Sequence, residues 1–332
     1  PLKKTEKKKF AGKALKLITE YDSAIFEWFN GNATEKYKLR YGENPHQNAF
    51  AYINQNKFSQ LSGDKKLSYN NLLDLDAAVK IAYGVKTDKD VCAIVKHNIP
   101  CGASIGKIQI ECYKKALAGD PISAFGGIVS FNKKINKETA DLLINNFYEV
   151  IAAPNYEKAA LETLKTKKNL RVIKINKIDQ KFEKRSFFAG TLVQDVDNKK
   201  TKVESINGIN KLSSEKINFF VNILKNIKSN AIAIFDENSL ISQSGGQTSR
   251  VDALQNCLYK FKLRNDLKKF KKINLFSDAF FPFIDSLSLI KRQNIKIDTY
   301  APMGSKNDLE IKKNIKKYKL NFFKLSYRHF KH

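Results

Sequence analysis

The sequence predicts an α/β protein of alternating strands and helices. Two observations carry this. Short apolar runs rich in β-branched residues, such as Val91–Val95 and Ala231–Phe235, recur along the 332 residues, and stretches with helical spacing separate them. Apolar residues make up 42% of the chain, enough for real cores, and the length has room for two domains or one large α/β unit. No apolar run reaches the length of a membrane span, and no charged-then-apolar leader with a small-residue cleavage site is present. The chain opens at Pro1, so it is expected to be a processed or excised piece of a longer protein. Cys92, Cys101, Cys112 and Cys257 show no metal-ligand spacing, a pattern expected of a reduced, cytoplasmic protein.

Residues 1–9 read as a basic, solvated linker. From Phe10 to Phe29 apolar residues return every three or four positions, an amphipathic helix whose face needs a partner in this chain or in another subunit. Leu39–Gln47 is a loop by its Gly, Asn and Pro, and it packs Arg40, Tyr41, Glu43 and His46 densely together. Ala49–Asn54 reads as a strand and Leu72–Tyr83 as a helix, with Asp74 and Asp76 in its first turn, where the helix dipole favours acids.

Val91–Val95 then reads as a buried strand that ends in Lys96-His97, with Pro100 and Gly102 expected to turn the chain. Strand ends of α/β sheets are where ligands bind. A Lys beside a group that titrates near neutrality suits proton transfer next to developing negative charge. Taken alone, the pair fits a solvated Lys and a packed His at least as well.

A helix over Ile108–Ala118 leads to Gly126-Gly127, where the backbone can approach a ligand closely or simply turn. A strand at Ile128–Phe131, a helix at Glu138–Asn146, a strand opening at Glu149, a helix from Leu161 and a strand at Leu170–Ile175 follow. The polar stretch 176–185 is a candidate domain boundary, between residues 10–180 and 181–332.

In the second unit, Lys211–Ile227 is helical and Ser229–Phe235 is a strand with Asn230 at its mouth. Ser244-Gly245-Gly246-Gln247-Thr248-Ser249-Arg250 places glycines and hydroxyls before a helix, an anion-binding device. Its spacing is neither a Walker loop nor a dinucleotide fingerprint, which argues against an ATPase or a dehydrogenase. Ser277–Asp285 surrounds a Pro with Phe rings and two acids. Some rings are core, and others suit a flat heterocycle. A strand at Ile295–Tyr300, a turn at Pro302–Ser305, a helix at Asp308–Tyr318 and a terminal Arg328-His329 complete the pattern.

The formal net charge of +27 invites a nucleic-acid-binding module as the alternative reading. The excess is almost all Lys, spread through the chain as a compositional bias, and no RNP-type strand or zinc-finger spacing accompanies it. The basic surface still suits anions, phosphorylated metabolites included. Only seven Arg survive among these lysines, which marks places that need a planar fork.

Nine stretches together carry a resemblance: LRYGENPHQ, LSYNNLLDLDAA, VKHNIPCG, DPISAFGGIVSFN, EVIAAP, SNAI, GGQTSRVDA, SDAFFPF and RHFKH. From about residue 8 onward the chain resembles the formyltransferase part of the bifunctional purine biosynthesis enzymes that join AICAR transformylase to IMP cyclohydrolase. The resemblance implies two tandem cytidine-deaminase-like units, each a three-layer α/β/α arrangement, in a cytoplasmic homodimer with sites at the interface. Pro100-Cys101 lacks the second Cys of a zinc deaminase, so no zinc is expected. The cyclohydrolase domain, which precedes this part in the family, is expected to be absent. The implied reaction moves a formyl group from 10-formyltetrahydrofolate, a co-substrate, to the 5-amino group of AICAR, with neither metal, nucleic acid nor membrane involved. By resemblance His97 is the general base, and Lys96 stabilises the oxyanion or protonates the departing folate nitrogen. Arg40, Tyr41, His97, Gly126, Glu149, Asn230, Arg250, Phe280 and Arg328 match AICAR-binding positions. Val251, Asp285, Ser305 and Lys306 match positions near the folate. Around Met303–Lys306 the sequence departs from many relatives, which bears on Ser305 and Lys306.

Overall fold

The computed structural model describes residues 2–29, 35–176, 178, 180–264 and 267–332. The chain begins with α1 (Lys4–Phe29), β1 (Glu35–Lys38) and β2 (Phe50–Ile53), the two strands forming a small antiparallel ribbon. The first large sheet is built from β3 (Phe58–Ser62), α2 (Tyr69–Tyr83), β4 (Asp90–Lys96), β5 (Ile99–Gly106), α3 (Gln109–Gly119), α4 (Pro121–Ala124), β6 (Gly127–Phe131), α5 (Lys137–Leu143), β7 (Tyr148–Ala153), α6 (Lys158–Lys165) and β8 (Arg171–Ile175). A hairpin, β9 (Phe182–Phe187) and β10 (Gly190–Asp195), follows. The second large sheet is built from β11 (Val203–Asn207), α7 (Ser214–Leu224), β12 (Ile232–Phe235), β13 (Leu240–Ser244), α8 (Arg250–Arg264), β14 (Lys272–Ser277), α9 (Asp285–Lys291), β15 (Lys296–Pro302), α10 (Asp308–Lys317) and β16 (Asn321–Leu325).

The two six-stranded sheets share one topology. The first runs β3-β8-β7-β6-β4-β5 and the second β11-β16-β15-β14-β12-β13. In each, the three central neighbours are parallel and the remaining pairings antiparallel. The fold is thus α/β with an internal duplication. The sheets meet edge to edge, where β5 and the turn before β13 form a bridge at Ser104 and Ser239 and Ile105 N donates to Asn238 O at 3.0 Å.

Strand alternation sends side chains into different cores. On β4, Val91, Ala93 and Val95 face a central core, while Cys92 and Ile94 face an outer one. The central core holds the apolar faces of α2 and α7 together with residues from both sheets. A column of rings crosses the second sheet within it. Phe220 stacks on Phe235 with centroids 4.2 Å apart, Phe276 on Tyr300 at 4.4 Å, and Tyr300 on Phe323 at 4.9 Å. Asn222 ties the two helices by donating to the C-terminal carbonyls of α2 at Lys80 and Ile81.

Two expectations are corrected. Residues 1–9 are not a linker throughout, because α1 begins at Lys4. Lys and Glu are good helix formers, and Lys3 N donates to Glu6 Oε2 at 2.8 Å. Every described side chain of α1 is exposed. Pro100 and Gly102 do not turn the chain either; both lie inside β5, which pairs antiparallel with β4. Pro is tolerated there because β5 is an edge strand. Gly102 is needed because a Cβ would lie 1.7 Å from Ala116 O. The turn itself is His97-Asn98.

Candidate active site

Lys96 pairs with Ile99 across the β4–β5 hairpin, which leaves His97 and Asn98 as a two-residue loop. Their φ angles are 54° and 60°, the pattern of a type I′ turn. His97 is exposed at its tip. Asp74, in the second turn of α2 and not the first, accepts from both loop amides: His97 N donates to Oδ2 at 3.0 Å and Asn98 N to Oδ1. The helix start is instead secured by a capping box between Ser68 and Asn71. Burial raises the Asp74 carboxyl above its ordinary value, against the pull of the two amides and the His97 charge.

Lys96 Nζ donates to Phe125 O at 2.6 Å. Gly126 follows with φ 72°, and a side chain there would come within 4.0 Å of Lys96 Nζ. Cys101 lies close by and remains a thiol, pushed up to about 12 by burial and then by Asp120, with Lys96 pulling the other way.

Glu149 stands at the start of β7. Its Oε2 accepts from Asn71 Nδ2 at 2.9 Å and from Arg171 Nη2 at 2.6 Å. Burial works to raise its carboxyl, but these bonds, with the charges of Arg171 and Arg40, hold it below the usual range. Arg40 and Tyr41 dock on the front of α2 through Arg40 N to Leu67 O and Tyr69 N to Tyr41 O, and the Arg40 guanidinium lies 5.1 Å from the Tyr41 ring centroid. The first unit thus assembles Arg40, Tyr41, Lys96, His97, Gly126 and Glu149 around α2.

The second unit gathers the others. Asn230 Nδ2 donates to Gln247 O at 2.9 Å and Thr248 O at 3.1 Å, stitching β12 to the glycine loop. That loop ends in α8, where Ser249 Oγ accepts from Asp252 N at 3.1 Å, so the anion-binding geometry expected at this helix start is partly occupied by its own cap. Arg250 turns inward. Its Nη1 donates to Asp278, to Ser277 Oγ at 3.2 Å and to Ala231 O at 3.3 Å. Asp278, fully buried, also accepts from Ser229 Oγ at 2.6 Å. Val251 is half-buried in the first turn of α8.

Of the Phe cluster, Phe281 is core, Phe280 half-buried and Phe283 exposed. Asp285 is exposed at the start of α9. Ser305 and Lys306 are brought to this segment by Asn307, whose Nδ2 donates to Pro282 O at 2.8 Å. Exposed Arg328 is held by its neighbour His329. That ring is buried between Asp197 Oδ2 at 2.5 Å and Thr201 Oγ1 at 2.8 Å, and its amide donates to Asp278 O at 3.0 Å.

Among the described residues no hydrogen bond or ion pair joins the Lys96–Glu149 group to the Asn230–Arg328 group, and no group of three His, Cys, Asp or Glu side chains gathers that could hold a metal. No described helix is long and apolar enough to cross a membrane. Three supporting residues escape a reading of the sequence: Asn71, whose capping-box position hides its bond to Glu149, Asp74, and Arg171, for which scarcity of Arg was the one signal.

The sequence profile described as AICARFT/IMPCHase bienzyme matches residues 1–260. The chain is 38% identical to the bifunctional purine biosynthesis protein PurH of Clostridium beijerinckii, over 98% of this chain and 67% of that protein. It is 37% identical to the protein of the same description from Fusobacterium nucleatum, over 98% and 67%, and 40% identical to that of Prochlorococcus marinus, over 93% and 65%. A match of this extent, over a chain spanning about two thirds of its relatives, places this protein in the AICARFT/IMPCHase bienzyme family.

Proposed function

We propose that this chain is the formyltransferase of purine biosynthesis, moving the formyl group of 10-formyltetrahydrofolate to the 5-amino group of AICAR. The observation that carries the reading is the β4–β5 hairpin. It presents His97 at a tight tip beside Lys96, with Gly126 in the left-handed region next to the residue that Lys96 bonds. The AICAR amine is conjugated with its ring and is a poor nucleophile, so it needs a base as it attacks. His97 takes the amine proton while nitrogen bonds to the formyl carbon. Lys96 stabilises the resulting oxyanion or protonates folate N10 as the bond from that carbon to N10 breaks, and the proton taken up by His97 balances the one so delivered. Arg40, Tyr41, Gly126 and Glu149 from the first unit, with Asn230, Arg250, Phe280 and Arg328 from the second, bind AICAR. Val251, Asp285, Ser305 and Lys306 lie near the folate.

The two groups of residues belong to separate units, and the reading joins them by a cytoplasmic homodimer in which the first unit of one protomer faces the second unit of its partner. The exposed apolar residues of α1, Trp28 and Phe29 among them, are consistent with further association. Each unit is read as cytidine-deaminase-like, which the repeated strand order supports.

The test is tetrahydrofolate absorbance after mixing the protein with both substrates. A rise that requires both establishes the transfer. His97→Ala should abolish it while calorimetry still detects AICAR binding, and normal turnover in that variant would remove His97 as the base.

A further inference from the structure

The His97-Asn98 turn demands an explanation that the hairpin alone does not supply. A type I′ turn needs positive φ at both loop positions, and Asn-Gly or Gly-Gly is its usual sequence. Asn tolerates the left-handed region. His enters it more often than most residues but, unlike Gly, at a steric cost. Here His97 takes the first position at φ 54° and Asn98 the second at φ 60°, with no glycine in the loop.

Asp74 provides the brace. Each of its carboxylate oxygens accepts one of the two loop amides, so one side chain fixes both residues of the turn. Neither oxygen is bonded to the imidazole. α2 carries Asp74 one turn beyond Asn71, which holds Glu149, so a single helix steadies both parts of the first unit's site.

The duplicated unit gives an internal comparison. Its equivalent turn, between β12 and β13, is longer and holds itself: Asp236 accepts from Asn238 N, Ser239 N and Ser239 Oγ. No residue of that turn has positive φ. Counted equally from the helix N-caps Ser68 and Ser213, the place of Asp74 is taken in α7 by Phe219, a fully buried core residue. The carboxylate belongs to the copy whose hairpin needs an external brace.

We infer that Asp74 is a positioning residue for formyl transfer, holding the left-handed His97-Asn98 turn through its backbone amides so that the imidazole is aimed beside Lys96. The inference rests on the reading of His97 as the base. Misplacing a reacting group by about 1 Å costs on the order of a hundredfold in rate. Asp74→Ala should therefore lower kcat by between about tenfold and a hundredfold, leaving the AICAR KM within about threefold.

Rescue separates this from a general loss of structure. Asn98→Gly makes the second loop position indifferent to the left-handed conformation. Added to Asp74→Ala, it should restore at least about a third of the lost kcat on a logarithmic scale. The inference is overturned if Asp74→Ala keeps wild-type kcat, if its KM rises with kcat unchanged, or if Asn98→Gly restores nothing. His97→Ala, run in the same assay, keeps the two claims apart. A dead His97→Ala with a fully active Asp74→Ala sinks the brace and spares the base, whereas an active His97→Ala removes both.

Discussion

Replacing Arg250 with Met should destabilise the protein by about 3–5 kcal/mol, because it leaves a buried carboxylate without its counter-ion. Asp278 has no exposed side-chain surface, and Arg250 is only 6% exposed. After the change, the Ser229 hydroxyl is the only side-chain donor left to Asp278 among those now bonded to it. A hydroxyl bond does not replace a guanidinium in a dry site. With a urea dependence of about 3 kcal/mol per M, the unfolding midpoint should fall by roughly 1–2 M. Adding Asp278→Asn to Arg250→Met removes the stranded charge and should recover a large part of the loss. Because Asp278 O also accepts from His329 N, the single variant should loosen the Arg328 tail as well, seen as faster amide exchange there. A cost below about 1 kcal/mol, the value of a surface pair, would refute the assignment of Arg250 as a buried counter-ion.

Gly102→Ala should cost several kcal/mol or prevent folding, since the new Cβ would meet the backbone oxygen of Ala116 at 1.7 Å and neither strand nor helix can yield cheaply; thermal unfolding close to wild type would contradict the packing of α3 on β5. Phe276→Ala removes a ring stacked on Tyr300 in the central core and should cost about 3–5 kcal/mol by urea unfolding. Glu149 has a carboxyl held below its ordinary value, so it adds stability above the unfolded value near 4.5 that is lost as pH falls through the folded value. The stability advantage of wild type over Glu149→Gln should accordingly be steady near neutrality and shrink on acidification below that point. An advantage that grew in acid would reverse the sign and refute the shift.

Much of the fold was legible because its strands are buried on both faces. β4 and β12 hold unbroken apolar runs, and the helices between the strands keep a clear period. β3 and β11 escaped because each is a short edge strand rich in Ser, Gln, Glu and Asn, whose order comes from pairing with β8 and β16. The hairpin was misplaced for a related reason. Pro100 and Gly102 act as breakers in isolation, and only the edge position of β5 and the closeness of Ala116 show why they are accommodated. Among the site residues, Lys96 and His97 announced themselves as a polar pair ending a strand. Asp74 did not, since the amides it holds lie 23 and 24 residues further along the chain. Arg250 and Asp278 were each visible as unusual residues, but their mutual bond spans 28 positions that no local pattern links.

The layer of α2 and α7 makes the duplication impossible to undo. Both helices bury their apolar faces in one core drawn from the two sheets, so a lone copy would carry a bare hydrophobic wall where its twin had been. Once that wall is shared, the halves are inherited together, and each is released from having to be a complete protein. One copy can then carry a hairpin braced from outside by Asp74, while the other, whose turn holds itself, buries Phe219 at the matching helix position.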